Sequence, residues 1–549
     1  MNASHESLAA DACSPPLSPS APRSSSPAFW GAFIVFAAAF VIRAPFAQYG
    51  NLSPDAVDYI DIARNIAHGR GVTQSIQWHY FTDASVPRPA WGERPVLLSI
   101  LLAPLIAFND SLVALQTFNS MLGALGAALL FLWVRRVCGD LRIALWSAAL
   151  YALCPAAIMC SVYVWTEPLF VIVLIAVFIA LDAGRPHPHN PSSGVGSQSA
   201  AGEGAAPGLP PSMARAAGAG ALAALAFYAR PTGILLLPAA IVVLGARRQW
   251  KALAAFTAVM IAMMVPHHVL VAQSHNSPFY SIQSQHFRVG HIEDAMNAGF
   301  GRAIPTAGQF IASHASAVAQ AIVGHFIQYS LDLFSLPYLG VLGFFAVVAL
   351  IAPLRRSPYA LPVVFAILHF FAVGVIWAGP VDSNRFLLVP LVCLWPPALE
   401  ALKSWRQSNG RLEGSLRRAC VTAAALAITV VFYIVLGVRL HDHCQRNARS
   451  RPDSPAFEQF VNATPPGAVL AASDVFIANF LFRRPTLALP SPAEPDAIRR
   501  FVKKYRPHFL LTGPDAESSL APLTAEGLLG RPMLPPESPF LWWPVRVSP

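Results

Sequence analysis

Apolar residues in this chain come in blocks of roughly 17–25, the length that carries a helix across the hydrocarbon core of a bilayer. The blocks lie near residues 29–46, 111–134, 142–160, 168–182, 214–229, 232–246, 251–272, 336–353, 358–377, 385–402 and 417–438, about eleven spans in all. A mostly α, polytopic transmembrane bundle follows. Composition agrees, because 55% of the 549 residues are hydrophobic and only 12% are charged, too few charges to cover a soluble protein of this size. The run 95–108 is shorter and reads as a re-entrant or interfacial segment.

The formal net charge is +10. No RNA- or DNA-binding motif accompanies it, so nucleic acid is not an expected partner. Topology accounts for the charge better, since Lys and Arg collect in loops that stay in the cytoplasm. Arg135, Arg136 and Arg142 share one loop, Arg185 and Arg215 bound another, and Arg247, Arg248 and Lys251 share a third. Arg355 and Arg356 mark a fourth; Lys403, Arg406, Arg411, Arg417 and Arg418 fill a fifth. All five fall on one side if the amino terminus is cytoplasmic.

Residues 1–28, rich in Ser, Pro and Ala, then form a disordered cytoplasmic tail, and 29–440 the transmembrane part. Residues 184–213 are a Gly/Ser/Pro/Ala linker in the cytoplasm. Loops 48–94 and 273–335 face outward, the second half of the latter lying amphipathically on the membrane surface. Residues 452–549 alternate helical stretches such as PDAIRRFVKKY with short apolar runs such as AVLAAS and PHFLLTG. They read as a small extracytoplasmic α/β domain with a parallel sheet. The seven cysteines form no CxxC and read as packing residues.

The first outer loop contains NLSPDAVDYIDIARNIAHGRG, with Asp55, Asp58 and Asp61 three residues apart. Ser53 is a good N-cap, Pro54 suits the first helical position, and Asp55 falls in the first turn, where the helix dipole favours a carboxylate. Tyr59, Ile62 and Ile66 line another face, and Gly69 and Gly71 end the helix. Taken alone, this is also the pattern of a solvated helix face. Other outer-loop groups point further: Arg94 before Pro95, Glu167 in SVYVWTEPLF, Arg230 in FYARPTG and Arg385 in DSNRFLLVP. Charges at the mouths of apolar helices are costly unless they face a polar cavity or a partner. Each could be an interfacial anchor; together they describe one outward-facing polar site of carboxylates and guanidiniums.

In order and spacing, PDAVDYIDIARNIAHGRG, GERPVLL, TEPLF, ARPTG, NRFLLVP and the ATPPGAVLAAS…FRRPTLALP tail resemble the polytopic GT-C glycosyltransferases, the superfamily of protein O-mannosyltransferases and lipid A aminoarabinose transferases. The resemblance implies a bacterial inner-membrane enzyme with a periplasmic carboxy-terminal domain. Its reaction would move a sugar from a polyprenyl-phosphate donor to a glycan, lipid or protein acceptor, inverting the anomeric centre. The family's catalytic acid of the first loop matches Asp55, here as general base. Many relatives carry a second acid next to it; this chain has Ala56 there and Asp58 two further on, so Asp58 is a second candidate and a divalent metal cofactor is not supported. Arg385 is the first choice for the donor phosphate, with Arg94 and Arg230 behind it. Glu167 and Tyr59 complete the substrate-binding set. No Walker-type loop is present.

The competing reading is a transporter or flippase of a lipid or sugar. That class should show internal repeats and midplane helix breaks, whereas the charges here gather at the outer ends. An inactive scaffold is a third reading. HDHC at 441–444 and His187 with His189 are weak as metal sites. Gly123, Gly126, Gly218 and Gly220 read as close-packing positions between helices.

Overall fold

The computed structural model describes residues 26–81, 86–182, 211–282, 284–285, 305–351, 357–376, 383–407, 412–446, 448, 454–490, 494–513, 516–534 and 538–546. Most of the expected amino-terminal tail and most of the linker lie outside them, as do Arg185, His187, His189, Arg355, Arg356 and Arg411.

The chain is a multi-pass membrane protein, mostly helical. Five of the described helices are long and apolar enough to cross a bilayer: Ala28–Ala47, Leu112–Cys138, Trp250–His275, Ala307–Phe334 and Ala419–Arg446. The pair Leu141–Leu153 and Pro155–Val162, bent by 55°, passes the same test together. Shorter apolar helices include Leu97–Phe108, Met213–Ala229, Pro231–Ala246 and Ala360–Val375. Ala307–Phe334 is the segment expected to lie on the membrane surface. It forms a 28-residue helix, opened by a Thr306/Gln309 capping box, kinked at His314 and long enough to span.

The bent pair shows how the bundle handles a broken helix in an apolar setting. Pro155 has no N–H, so the carbonyls of the preceding turn lose their donor. Buried Arg43 from the first helix supplies one: its Nη1 donates to Ala152 O at 3.2 Å and its Nη2 to Tyr151 O at 3.4 Å. A Cβ on Gly123 would sit 2.2 Å from Ser161 Oγ and 2.9 Å from Arg43 Nε, so glycine leaves room for this bridge. Gly126 and Gly220 are close-packed too, the latter with Phe256 O only 2.3 Å from an added Cβ. Gly218 faces open space and packs against nothing.

In the carboxy-terminal segment every element read from the sequence forms. Helices Pro455–Ala463, Val475–Phe482 and Pro495–Tyr505 alternate with strands β4 (Leu470–Ala472), β5 (Thr486–Ala488) and β6 (Phe509–Thr512). The stretch 73–89 contributes β1 (Thr73–Gln74), β2 (Ile76–Gln77) and β3 (Arg88–Pro89), and β7 (Leu541–Pro544) follows. A five-stranded sheet has the order β2-β5-β4-β6-β7. Its first four strands are parallel and β7 is antiparallel. The edge strand β2 is not contiguous with the rest. Ile76 pairs with Thr486, and Thr486 N donates to Ser75 O at 2.8 Å. A shared apolar cluster joins Val57, Ile76 and Trp78 to Phe457, Leu470 and Trp542.

Candidate active site

The acidic helix forms over Pro54–Ala67, with Ser53 Oγ accepting from Ala56 N at 3.1 Å. It is not the surface helix its pattern indicates. Residues 56–65 are all buried, Asp58 and Asp61 included, because the apolar bundle lies on one side and the carboxy-terminal segment on the other.

Six of the seven charged residues singled out in the sequence, all but Asp61, meet in one chain of ion pairs. Arg94 Nη2 lies 2.6 Å from Asp58 Oδ2, and its Nη1 2.8 Å from Asp55 Oδ1. Arg385 Nη1 takes the other oxygen of Asp55, and its Nε contacts Glu167 Oε1, which also receives Arg230 Nη1. The order is Asp58–Arg94–Asp55–Arg385–Glu167–Arg230. Tyr59 sits beside it, buried in the helical core, and burial and the Asp55 charge push its phenol up to about 12.

Local sequence explains the placement. Arg94, Glu167 and Arg230 each precede a proline, which disfavours helix at the residue before it and opens the next helix. Arg230 has ψ 137°, extended between the helices Met213–Ala229 and Pro231–Leu235. Each charge is thereby held at a helix end, where the chain turns. Arg385 sits in the short turn Ser383–Phe386 ahead of the helix Leu388–Gln407.

Several supporting residues carry no signal in the charge pattern. Gln74 Nε2 donates to Asp58 Oδ1 at 2.5 Å. Each guanidinium lies over a ring: Arg385 over Trp165 at 4.8 Å, Arg94 over Trp78 at 5.5 Å, Arg230 over Phe386 at 5.8 Å. Trp165 is fixed in turn by its Nε1, which donates to Ser53 Oγ at 2.7 Å. The neighbour of Arg94, Glu93, is buried and accepts from His79 Nε2 at 2.8 Å and Tyr280 OH at 3.2 Å, with Arg88 Nη1 at 3.5 Å. This clamp fixes the loop that delivers Arg94. Burial pushes the His79 ring down to about 4, so it is neutral at pH 7.

The two aspartates differ in protonation. Burial alone would raise the Asp55 carboxyl, but Arg94 and Arg385 outweigh it and hold it well below the usual range. Asp58 lies deeper; burial prevails over Arg94, Asp55 adds repulsion, and its carboxyl is pushed up to about 7. Exposure divides the chain in the same way. Side chains of Asp55, Arg385 and Arg94 are 16%, 15% and 13% exposed, whereas Glu167 and Asp58 are at 0%. Asp55 and its two arginines form the mouth. Asp61, near the middle of the helix, does not join them: its Oδ2 accepts from Ser75 N at 2.5 Å.

Beside Glu93 and Arg94 opens a cavity of about 150 Å³, lined by Phe227, Tyr228, His267 and Phe279 among others. Among the described residues no three His, Cys, Asp or Glu side chains are grouped to hold a metal ion. Three acids facing three arginines leave no surplus of negative charge to draw a dication. His441 of the HDHC stretch instead bonds Tyr49 OH at 2.7 Å.

No family profile and no curated protein sequence matches the chain. Solved structures do. An archaeal oligosaccharyltransferase, AglB from Archaeoglobus fulgidus, in complex with an inhibitory peptide and a dolichol-phosphate, superposes with a TM-score of 0.50 at 10% identity, over 89% of this chain and 70% of that one. An Archaeoglobus fulgidus oligosaccharyltransferase tethered to an acceptor peptide containing the NVT sequon also gives 0.50, at 14% identity over 93% and 74%. At such identity the likeness is one of architecture. The chain has the fold of these oligosaccharyltransferase structures.

Proposed function

We propose that this protein is a membrane glycosyltransferase that moves a sugar from a polyprenyl-phosphate donor to an acceptor outside the cytoplasm, with inversion. The observation that carries this reading is the partly exposed trio Asp55, Arg385 and Arg94, backed by buried Glu167, Asp58 and Arg230. It offers a carboxylate and fixed guanidiniums side by side at one opening. The matched solved structures, one with a dolichol-phosphate and one with an acceptor peptide, are consistent with a lipid-linked donor.

Asp55 takes the acceptor proton as the acceptor oxygen attacks the anomeric carbon. The bond from that carbon to the phosphate oxygen breaks, its electron pair passes to the lipid phosphate, and Arg385 stabilises the growing charge. The same arginine now holds Asp55. A donor phosphate on the Arg385 fork removes one of the two cations that keep Asp55 weakly basic. Donor binding therefore raises the basicity of Asp55 when the base is needed. Asp58 is buried and acts through Arg94 as a positioning residue. The proposed topology is about eleven spans in a bacterial inner membrane, with a cytoplasmic amino terminus and with the site and residues 452–549 in the periplasm. The positive loops support it.

The test is incubation of purified protein with a panel of polyprenyl-phosphate sugars and measurement of lipid phosphate release. Asp55→Asn is expected to abolish transfer while the protein inserts at normal yield. Undiminished transfer by that variant would refute the assignment. A reporter fused to the carboxyl terminus checks the orientation.

A further inference from the structure

A second cavity lies on the other side of the acidic helix. It measures about 430 Å³, within the size range of small-molecule sites. Its walls come from the far end of that helix, from Asp110 before the helix Leu112–Cys138, and from residues 466–485 of the carboxy-terminal segment. None of the six charged residues of the candidate active site lines it.

Its charge is lopsided. Arg64, Arg70, Arg483 and Arg484 face only Asp61 and Asp110. Asp110 is shared: Arg64 Nε reaches both its oxygens at 3.0 Å, and Arg483 Nη2 lies 3.2 Å from Oδ2. One carboxylate thus answers two guanidiniums. Asp61 is turned to the backbone N–H of Ser75, and Arg484 donates to the carbonyls of Val461, Thr464 and Pro465. Arg64 is buried and stacked at 5.3 Å over Phe480, which fixes its plane. Planar guanidiniums held around one cavity are suited to bidentate binding of a phosphate.

We propose that this cavity is a second anion site, for a phosphate-type group, built jointly by the outer loop and the carboxy-terminal segment. Arg64, Arg70 and Arg483 hold the anion. The group comes either from a soluble phosphorylated compound or from an anionic lipid headgroup.

The experiment uses the full chain in detergent with inorganic phosphate as the probe, reading the midpoint of thermal unfolding against concentration. Wild type is expected to show saturable stabilisation, unchanged by Asp55→Asn. In Arg70→Ala/Arg483→Gly the apparent affinity should fall by about tenfold or more, the loss of charge-assisted hydrogen bonds. Arg483 has φ 53°, which glycine adopts without strain, and Arg70 is exposed, so Arg70→Ala alone carries the test if the double variant misfolds. Bilayer discs with and without phosphatidic acid separate the sources. Competition with phosphate indicates a headgroup, and its lack a soluble compound. Absence of saturable stabilisation, or equal affinity in the variant, would overturn the site. The readout is binding, so such a failure leaves the proposed transfer reaction untouched.

Discussion

Arg385 spans two acids with one side chain, Nη1 on Asp55 and Nε on Glu167, while its Cζ lies 4.8 Å from the Trp165 ring centre. Arg385→Lys keeps the charge but replaces this fork with a single ammonium, which cannot hold both carboxylates and stack at once. At least one charge-assisted hydrogen bond is lost, worth about 2 kcal/mol, which corresponds to roughly a thirtyfold fall in kcat/KM if the fork is used in the transition state. The assay is transfer by purified enzyme from a polyprenyl-phosphate sugar, with the yield of folded protein measured alongside. A fall in kcat with KM little changed marks an interaction made in the transition state. Wild-type kcat/KM in Arg385→Lys would refute the reasoning, because a point charge would then suffice.

Further predictions concern stability. Asp58 and Asp61 are raised to about 7 and about 6 by burial, above the value near 4 of an unfolded chain. The folded state then holds more protons between about pH 4 and pH 7, so stability falls as pH rises through that window. The thermal midpoint should be higher at pH 5 than at pH 7.5, and Asp61→Asn should flatten the part of the slope below about pH 6; an unaltered slope in that variant would contradict the assignment. Gly220→Ala places a Cβ 2.3 Å from Phe256 O, so it should destabilise by about 1–3 kcal/mol, whereas Gly218→Ala, with nothing within 4 Å, should change little. Melting the two variants side by side in detergent checks the pair. Trp165→Phe keeps a ring under Arg385 but drops the bond to Ser53 Oγ; a several-fold loss of kcat/KM with an unchanged melting midpoint is expected.

Much of the candidate site was legible because polar groups are rare in an apolar chain and each must be explained. Asp55, Asp58, Arg94, Glu167, Arg230 and Arg385 stood out on that ground alone, and the prolines beside three of them marked the helix ends that hold them. The helix Pro54–Ala67 was legible as a helix and not as a buried one. Its acidic face looks solvated in sequence, yet that face is covered by neutralising arginines and by Gln74 of strand β1. Gln74, Trp78 and Phe386 are ordinary residues locally, and only tertiary contact gives them a role. Strand β2 is two residues long, and its partner is 410 positions away at Thr486; no local pattern encodes such a pairing.

That short strand has a mechanical consequence. Gln74, which braces Asp58, is separated by Ser75 alone from Ile76, whose backbone is stitched to the tail. Three consecutive residues thus connect the carboxy-terminal sheet to the floor of the candidate site. Trimming the tail would therefore strip the acidic helix of the wall that the carboxy-terminal segment provides.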